Sequence, residues 1–147
     1  MRSIPALCFV LVASPALAGD FIVKPSKYSV AETLDRLTKA LKSKGITIMA
    51  RVDHAGGAEK AGLKLKPTQL LIFGNPKLGT PLMQTNRGIG LDLPMKVLAW
   101  QDDKGQTWVT YTKPDVLKAR YNIKGKDGIF AKMTGALSKL TGKASGG

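Results

Sequence analysis

Residues 68–84, TQLLIFGNPKLGTPLMQ, decide the fold. The segment opens with a mainly apolar run, which is typical of a buried β-strand. Three residues then end the strand: Gly74 allows a positive φ, Asn75 can close an Asx turn, and Pro76 has no amide hydrogen to donate. The residues after Pro76 predict a helix with Pro81 in its first turn. A strand that runs straight into a helix indicates a fold of mixed α and β elements.

The residues before this segment predict one more helix and two more strands. Phe21-Ile22-Val23 is a short β-prone run. Ser29 opens a capping box, and the apolar positions that follow share one helical face up to Gly45: Val30, Leu34, Leu37 and Leu41. Residues 46–52 alternate, which predicts a half-buried strand with one side formed by Ile46, Ile48, Ala50 and Val52.

The residues after the segment predict a hairpin and two helices. Residues 96–100 and 107–111 are β-rich runs around an acidic loop that ends in glycine. Helices are predicted from Pro114 to about Tyr121 and over residues 129–140. We therefore predict an α+β fold, with helices packed on one antiparallel or mixed sheet of about four to five strands.

Residues 1–18 read as a secretory signal peptide. Arg2 precedes an apolar run and then Ala16-Leu17-Ala18, a small-x-small cleavage site. We expect cleavage after Ala18 and a periplasmic or extracellular location. The apolar run is far shorter than the roughly 18–20 residues that cross a bilayer, which disfavours an uncleaved anchor, and we expect no membrane span in the mature chain. Cys8 lies inside the apolar run, so a lipoprotein is the weaker interpretation.

The length and charge limit the organisation and the partners. The 147 residues carry a formal net charge of +13, and signal cleavage removes Arg2 and the only cysteine, leaving +12. We expect one domain over residues 19–141 and a disordered tail over residues 142–147. In the cytoplasm such a charge would favour nucleic acid, but export argues against it. The charge instead favours a small anionic ligand or an anionic surface of lipid, polysaccharide or protein.

The side-chain inventory excludes several reaction classes. With one histidine and no cysteine, the mature chain cannot build the usual zinc site or perform thiol chemistry. A catalytic triad would need His54, and its neighbour Asp53 points away from it on an extended chain. We therefore expect binding without catalysis, and the remaining enzymatic interpretation is a hydrolase or transferase that uses Asp92 and Lys77.

The glycine spacing of the opening segment resembles a phosphate-binding loop. Gly74 and Gly79 are spaced as in G-x-x-x-x-G. Thr80-Pro81 stands where that loop needs Lys followed by Ser or Thr, which argues against nucleotide hydrolysis. Lys77 and Thr80 near a helix start could still hold a carboxylate or a sulfate-like group.

His54 is the one conventional metal ligand of the mature chain. Its simplest interpretation is a surface or hydrogen-bonded loop histidine. The alternative is a haem or copper ligand, with the same residue of a second copy completing an axial pair. The sequence contains no C-x-x-C-H, so covalent c-type haem is excluded. We predict no cofactor, with haem or copper at His54 as the alternative.

Over about residues 26–121 the sequence resembles the prokaryotic family named domain of unknown function 302. The stretches that carry the resemblance are Ser29-Val30-Ala31-Glu32-Thr33 with Leu37 and Lys44-Gly45; Arg51-Val52-Asp53-His54 with Ala58; Leu71 to Gln84; and Leu91-Asp92-Leu93-Pro94-Met95-Lys96-Val97-Leu98. The resemblance implies a compact α+β fold similar to one repeat of the TATA-binding protein, a homodimer, and no established enzymatic activity. A shared fold does not imply DNA binding.

We therefore expect a secreted or periplasmic binding or accessory protein that forms a homodimer. The alternative is a dimeric haem or metal protein that uses His54. A pocket between the shared motifs is the candidate site, and its predicted polar lining is His54, Asn75, Lys77, Thr80, Met83 and Asp92.

Overall fold

The computed structural model describes residues 19–147, so the predicted signal peptide lies outside the described residues. The strands are β1 (Phe21–Ser26), β2 (Thr47–Asp53), β3 (Thr68–Gly74), β4 (Met95–Gln101) and β5 (Thr107–Thr112). The helices are α1 (Val30–Ser43), α2 (His54–Lys60), α3 (Pro76–Thr85), α4 (Pro114–Arg120) and α5 (Asp127–Ser145), with a 3₁₀ turn at Arg87–Leu91. The predicted α+β class is confirmed.

The five strands form one antiparallel sheet in the order β1-β5-β4-β3-β2. Helices α1 and α5 contact each other and cover one face of this sheet. The buried sheet residues on that face are Leu71, Phe73, Met95, Val97, Ala99, Val109 and Tyr111. Because successive strand residues point to opposite faces, the other face carries Leu70, Ile72, Leu98, Trp100 and Trp108.

Helix α1 begins where the capping box predicts. The Ser29 side chain accepts a hydrogen bond from the Glu32 amide at 3.2 Å, which satisfies one free donor of the first turn. The predicted face of α1 is buried in the core, with Leu34 fully inaccessible. Burying that face stabilises the helix far more than its intrinsic propensity does.

The predicted alternation of β2 is interrupted by a β-bulge. Ile48 pairs with Phe73, but Ala50 pairs with Ile72, so Met49 is the extra residue. One extra residue reverses which face each later side chain occupies. Ala50 and Val52 therefore lie on the face away from the helices, contrary to the predicted single apolar side.

The bulge also brings Arg51 onto the helix face of the sheet. Its guanidinium donates to the carbonyl of Ala31 at 3.1 Å and to the carboxylate of Asp35, both in α1. It also donates to Gln69 on β3 at 2.9 Å. The edge strand is thus tied to α1 by a charged residue, which a regular strand would have directed to the opposite face.

The predicted hairpin forms between β4 and β5, and Asp102 organises its turn. Its carboxylate accepts hydrogen bonds from the amides of Lys104 and Gln106, each at 2.9 Å, and from the Trp108 indole at 2.8 Å. The hydrogen bond from Trp108 is the main reason that the pKa of Asp102 lies below its ordinary value. Asp102 is therefore a structural residue of the turn.

The predicted disordered tail is wrong, because α5 continues to Ser145. Ala144 and Ser145 are 2% and 4% exposed. The Lys27 amide donates to the Ser145 carbonyl at 3.0 Å, and Arg36 of α1 donates to the Ala144 carbonyl at 3.2 Å. The domain therefore extends beyond residue 141. Within residues 19–147, no helix has the length and apolar character needed to cross a membrane.

Candidate functional site

A largely apolar cavity of about 320 Å³ lies between the helix layer and the end of the sheet where β3 finishes. It is lined by α1, the start of β2, the β3–α3 junction, the residues before β4, and the middle of α5. Its apolar lining includes Leu37, Leu41, Ile46, Phe73, Leu78, Leu93, Leu137 and Leu140. This volume lies in the range of small-molecule pockets.

The β3–α3 junction shapes the cavity wall through close packing. An added Cβ at Gly74 would lie 3.3 Å from Cβ of Pro94 and 3.6 Å from Cε of Met49. Gly74 has no positive φ, so its role is close approach to Pro94, whose peptide bond with Leu93 is cis. The predicted Asx turn is present, since Asn75 Oδ1 accepts from the Lys77 amide at 3.0 Å.

Helix α3 starts one residue earlier than predicted. Pro76 occupies its first turn, and Pro81 lies inside the helix instead of near its start. Pro81 has no amide hydrogen, so it cannot complete the usual helical bond to the carbonyl of Lys77. The short helix nevertheless holds Leu78, Thr80 and Met83 in the cavity wall.

All four methionines among residues 19–147 line this cavity: Met49, Met83, Met95 and Met133. Met95 and Met133 also belong to the buried core. Met49 is half exposed and lies at the bulge of β2. Unbranched, polarisable methionine side chains adapt to differently shaped apolar ligands.

Of the six predicted site residues, the structure brings Asn75, Thr80 and Met83 together in the cavity wall. Asn75 Nδ2 and Thr80 Oγ1 form no hydrogen bond to any other described residue, although Asn75 Oδ1 is used in the cap. Lys77 is exposed between the lining residues Pro76 and Leu78. Two hydrogen-bond donors, on Asn75 and Thr80, and the cation of Lys77 therefore lie beside an apolar cavity.

Asp92 does not line the cavity. Its carboxylate is hydrogen bonded instead to the last residue of α4 and to the residue directly after that helix. It accepts hydrogen bonds from the Tyr121 hydroxyl at 2.6 Å and from Arg120 at 2.8 Å. The hydrogen bond from Tyr121 is the main reason that the pKa of Asp92 lies below its ordinary value. Burial opposes this shift, and the hydrogen bond and charge of Arg120 lower the pKa further. Asp92 thus connects the 3₁₀ turn to α4 instead of capping nearby amides.

His54 lies away from the cavity, at the first residue of α2, and is exposed. Asp53, just before it, caps α2 by accepting from the Gly56 amide at 2.9 Å. Over residues 19–147, no cluster of three or more His, Cys, Asp or Glu side chains is placed to hold a metal ion. His54 and the cavity are therefore separate features of the surface.

Sequence reasoning missed the contributions of α1 and α5 to the cavity. Leu37, Leu41 and Leu137 have the helical spacing of core residues, and nothing in that spacing shows that a space remains between them. The methionines were the sequence signal that could have indicated the cavity. They are far apart in the sequence, but their side chains meet in the cavity wall.

A family model and a solved structure carry the same family description. The model of the family described as Domain of unknown function DUF302 matches residues 22–140. The crystal structure of an uncharacterized conserved protein DUF302 from Bacillus stearothermophilus is 23% identical in sequence, with a TM-score of 0.77. The match covers 86% of this chain and 99% of that one, which shows a shared fold.

Curated relatives are similar over part of their length. Fluoride-specific ion channel FluC 1 of Brucella suis biovar 1 is 51% identical over 105 residues, which are 71% of this chain and 41% of that protein. Fluoride-specific ion channel FluC 2 of Brucella melitensis biotype 1 matches at the same identity over 39% of its length. The chain thus spans about two fifths of these relatives. Since the family model covers most of the chain, the chain belongs to the family of the domain of unknown function DUF302.

Proposed function

We propose that this protein is an exported binding protein that holds a small, mainly apolar molecule in the cavity between α1, α3 and α5. The observation that carries the proposal is the cavity itself, about 320 Å³ in volume and lined almost throughout by aliphatic, aromatic and methionine side chains. Burying apolar ligand surface there would supply the binding free energy. Because His54 and Asp92 lie elsewhere, residues 19–147 place no pair of side chains suited to acid–base chemistry in the cavity wall.

Filling the cavity tests the proposal. An added Cβ at Gly79 would lie 3.8 Å from Leu93 Cδ1 and 3.9 Å from Met83 Cε, which is ordinary contact. Gly79→Leu therefore places a side chain in the cavity without forcing the backbone apart. At Gly135 on α5 an added Cβ meets nothing within 4 Å, so Gly135→Leu is the matched control. Both changes replace a helical glycine with a better helix former.

The measurement is the fluorescence of N-phenylnaphthylamine, an uncharged apolar probe, as protein comprising residues 19–147 is added to it. We expect saturable binding that Gly79→Leu weakens at least tenfold and Gly135→Leu leaves unchanged. If Gly79→Leu fails to fold by circular dichroism, Ala136→Phe fills the same cavity from α5. Absence of saturable binding, or equal binding by the filled and control variants, would refute the proposal.

Export is the second part of the proposal and rests on residues 1–18. The expected product begins at Gly19, because Ala16-Leu17-Ala18 has the small-x-small pattern of a cleavage site. N-terminal sequencing of the protein recovered from a periplasmic extract tests this. A product that keeps Met1 and stays in the cytoplasmic fraction would overturn it.

An accessory role beside a membrane channel is a second candidate function. It is favoured by the 51% identity to a part of proteins named fluoride-specific ion channels. We propose that the domain assists such a channel, by binding near it and not by conducting ions itself. Deleting the gene should increase sensitivity to fluoride in the growth medium, and the wild-type gene should restore tolerance. Unchanged sensitivity in the deletion strain would contradict this role.

A further inference from the structure

We infer that the molecule held in the cavity is an anionic amphiphile, with its apolar chain among the methionines and a carboxylate-like head at the rim formed by Asn75, Lys77 and Thr80. This inference rests on the proposed binding function and names the class of its ligand. A purely apolar ligand would need no polar group at the opening.

The cavity offers a chain-shaped ligand adaptable apolar contacts. The Met83 side chain lies between Gly79 and Gly90. An added Cβ at Gly79 would lie 3.9 Å from Met83 Cε, and one at Gly90 would lie 3.5 Å from Met83 Sδ. Met95 and Met133 approach from β4 and α5 and are each 8% exposed. A flexible hydrocarbon chain fits walls of this kind better than a rigid polar ring system does.

Two donors at the rim have no partner among residues 19–147. Asn75 Oδ1 is fixed by the Lys77 amide at 3.0 Å, which orients the side-chain amide and leaves its Nδ2 free. Thr80 is exposed, and its hydroxyl makes no hydrogen bond to another described residue. Both groups can donate to an oxygen of a carboxylate, which has acceptor sites for several donors.

The segments that build the cavity carry positive charge and no negative charge. They comprise residues 37–49, 73–83, 93–95 and 133–141, which contain no Asp or Glu. Their charged residues are Lys39, Lys42, Lys44, Lys77 and Lys139. Asp92, the acid next to this group, is already hydrogen bonded to Tyr121 and Arg120. A cationic head at the rim would be repelled by Lys77, with no neighbouring acid in these segments to offset it, whereas an anionic head would be attracted.

The test compares three ligands that share a decyl chain: decanoate, decanol and decylammonium. Isothermal titration of residues 19–147 at low ionic strength should give the tightest binding for decanoate. A charge-assisted hydrogen bond corresponds to about tenfold or more in affinity, so decanoate should exceed decanol by at least that factor. Added salt should weaken decanoate binding and leave decanol binding unchanged.

The outcomes separate this inference from the proposed function. If decanol binds as tightly as decanoate, the apolar binding site stands and the anionic head is refuted. Tighter binding of decylammonium would likewise refute it. If none of the three ligands binds, the proposed function fails together with the inference.

Charge-removing variants locate the head group. Lys44→Gln with Lys77→Gln removes two cations from the segments that build the cavity, and Lys64→Gln with Lys104→Gln removes two from the loops at the opposite end of the sheet. We expect the first pair to weaken decanoate binding about tenfold, with decanol binding unchanged, and the control pair to have little effect. Thr80→Val should weaken decanoate selectively, because it keeps the shape and removes the donor. Equal losses in both pairs would show a general effect of net charge and overturn the assigned position.

Discussion

Removing the last turn of α5 should destabilise the protein, although the sequence of that turn resembles a disordered tail. The perturbation is a chain that ends at Thr141 and lacks residues 142–147. It removes the hydrogen bond from the Lys27 amide to the Ser145 carbonyl and the one from Arg36 to the Ala144 carbonyl. It also exposes the surface that Ala144 covers, since that residue is 2% exposed.

The expected loss in the free energy of unfolding is about 2 kcal/mol. The neutral hydrogen bond contributes about 1 kcal/mol and the bond from the charged guanidinium about 1.5 kcal/mol. Burial of one methyl group adds about 0.8 kcal/mol. The conformational entropy regained by residues that no longer need ordering offsets part of this sum.

Urea unfolding followed by circular dichroism measures the change by linear extrapolation. The control ends at Ser145 and lacks only Gly146 and Gly147, so it keeps the bonds to Arg36 and Lys27 and should lose less than about 0.5 kcal/mol. A change below about 0.5 kcal/mol for the longer truncation would refute the reasoning.

A double-mutant cycle locates the source of the effect. Arg36 also lies 4.0 Å above the Tyr28 ring, so Arg36→Gln removes that contact together with the bond to Ala144. The substitution should cost about 1 kcal/mol in the full domain and clearly less in the chain ending at Thr141. Additive costs would mean that Arg36 does not act through the end of α5.

Three further predictions concern other parts of the molecule. Asp92→Asn should lower the unfolding free energy by about 1 kcal/mol at neutral pH. Because the folded-state pKa of Asp92 is depressed, this difference is present above its unfolded pKa of about 3.9 and disappears as the pH falls through the folded pKa. Urea unfolding of both proteins at several pH values measures it. Val97→Ala, at a fully buried position of β4, should cost about 2 kcal/mol in the same assay, and a cost near zero would contradict the close packing of that face. Protein purified from cells supplied with a haem precursor should show no Soret band, whereas a band that His54→Ala abolishes would establish the haem alternative.

The helices and strands could be predicted from the sequence where one local signal dominates. The capping box at Ser29 and the apolar face that includes Leu34 fix α1, because a helix needs both a satisfied first turn and a face to bury. The acidic turn at Asp102 likewise predicts the hairpin. Such signals depend on residues within a few positions of each other, so no tertiary information is needed to recognise them.

The bulge in β2 and the end of α5 could not be predicted in this way. A single extra residue at Met49 transfers Arg51 to the helix face, and only pairing with β3 shows which residue is extra. The last turn of α5 has the composition of a tail, but Arg36 and Lys27, distant in sequence, bind its carbonyl groups. In both cases distant strands or helices override the local pattern.

The sequence by itself determined the α+β class, the boundaries of most elements, the membership in the DUF302 family and the absence of cysteine from residues 19–147. It also pointed to Asn75, Thr80 and Met83 as site residues. Only the tertiary structure decided that these three share a cavity and that His54 and Asp92 lie outside it. The reason is physical: a cavity is the space left where distant elements fail to fill a volume, and no periodicity along one element records that space.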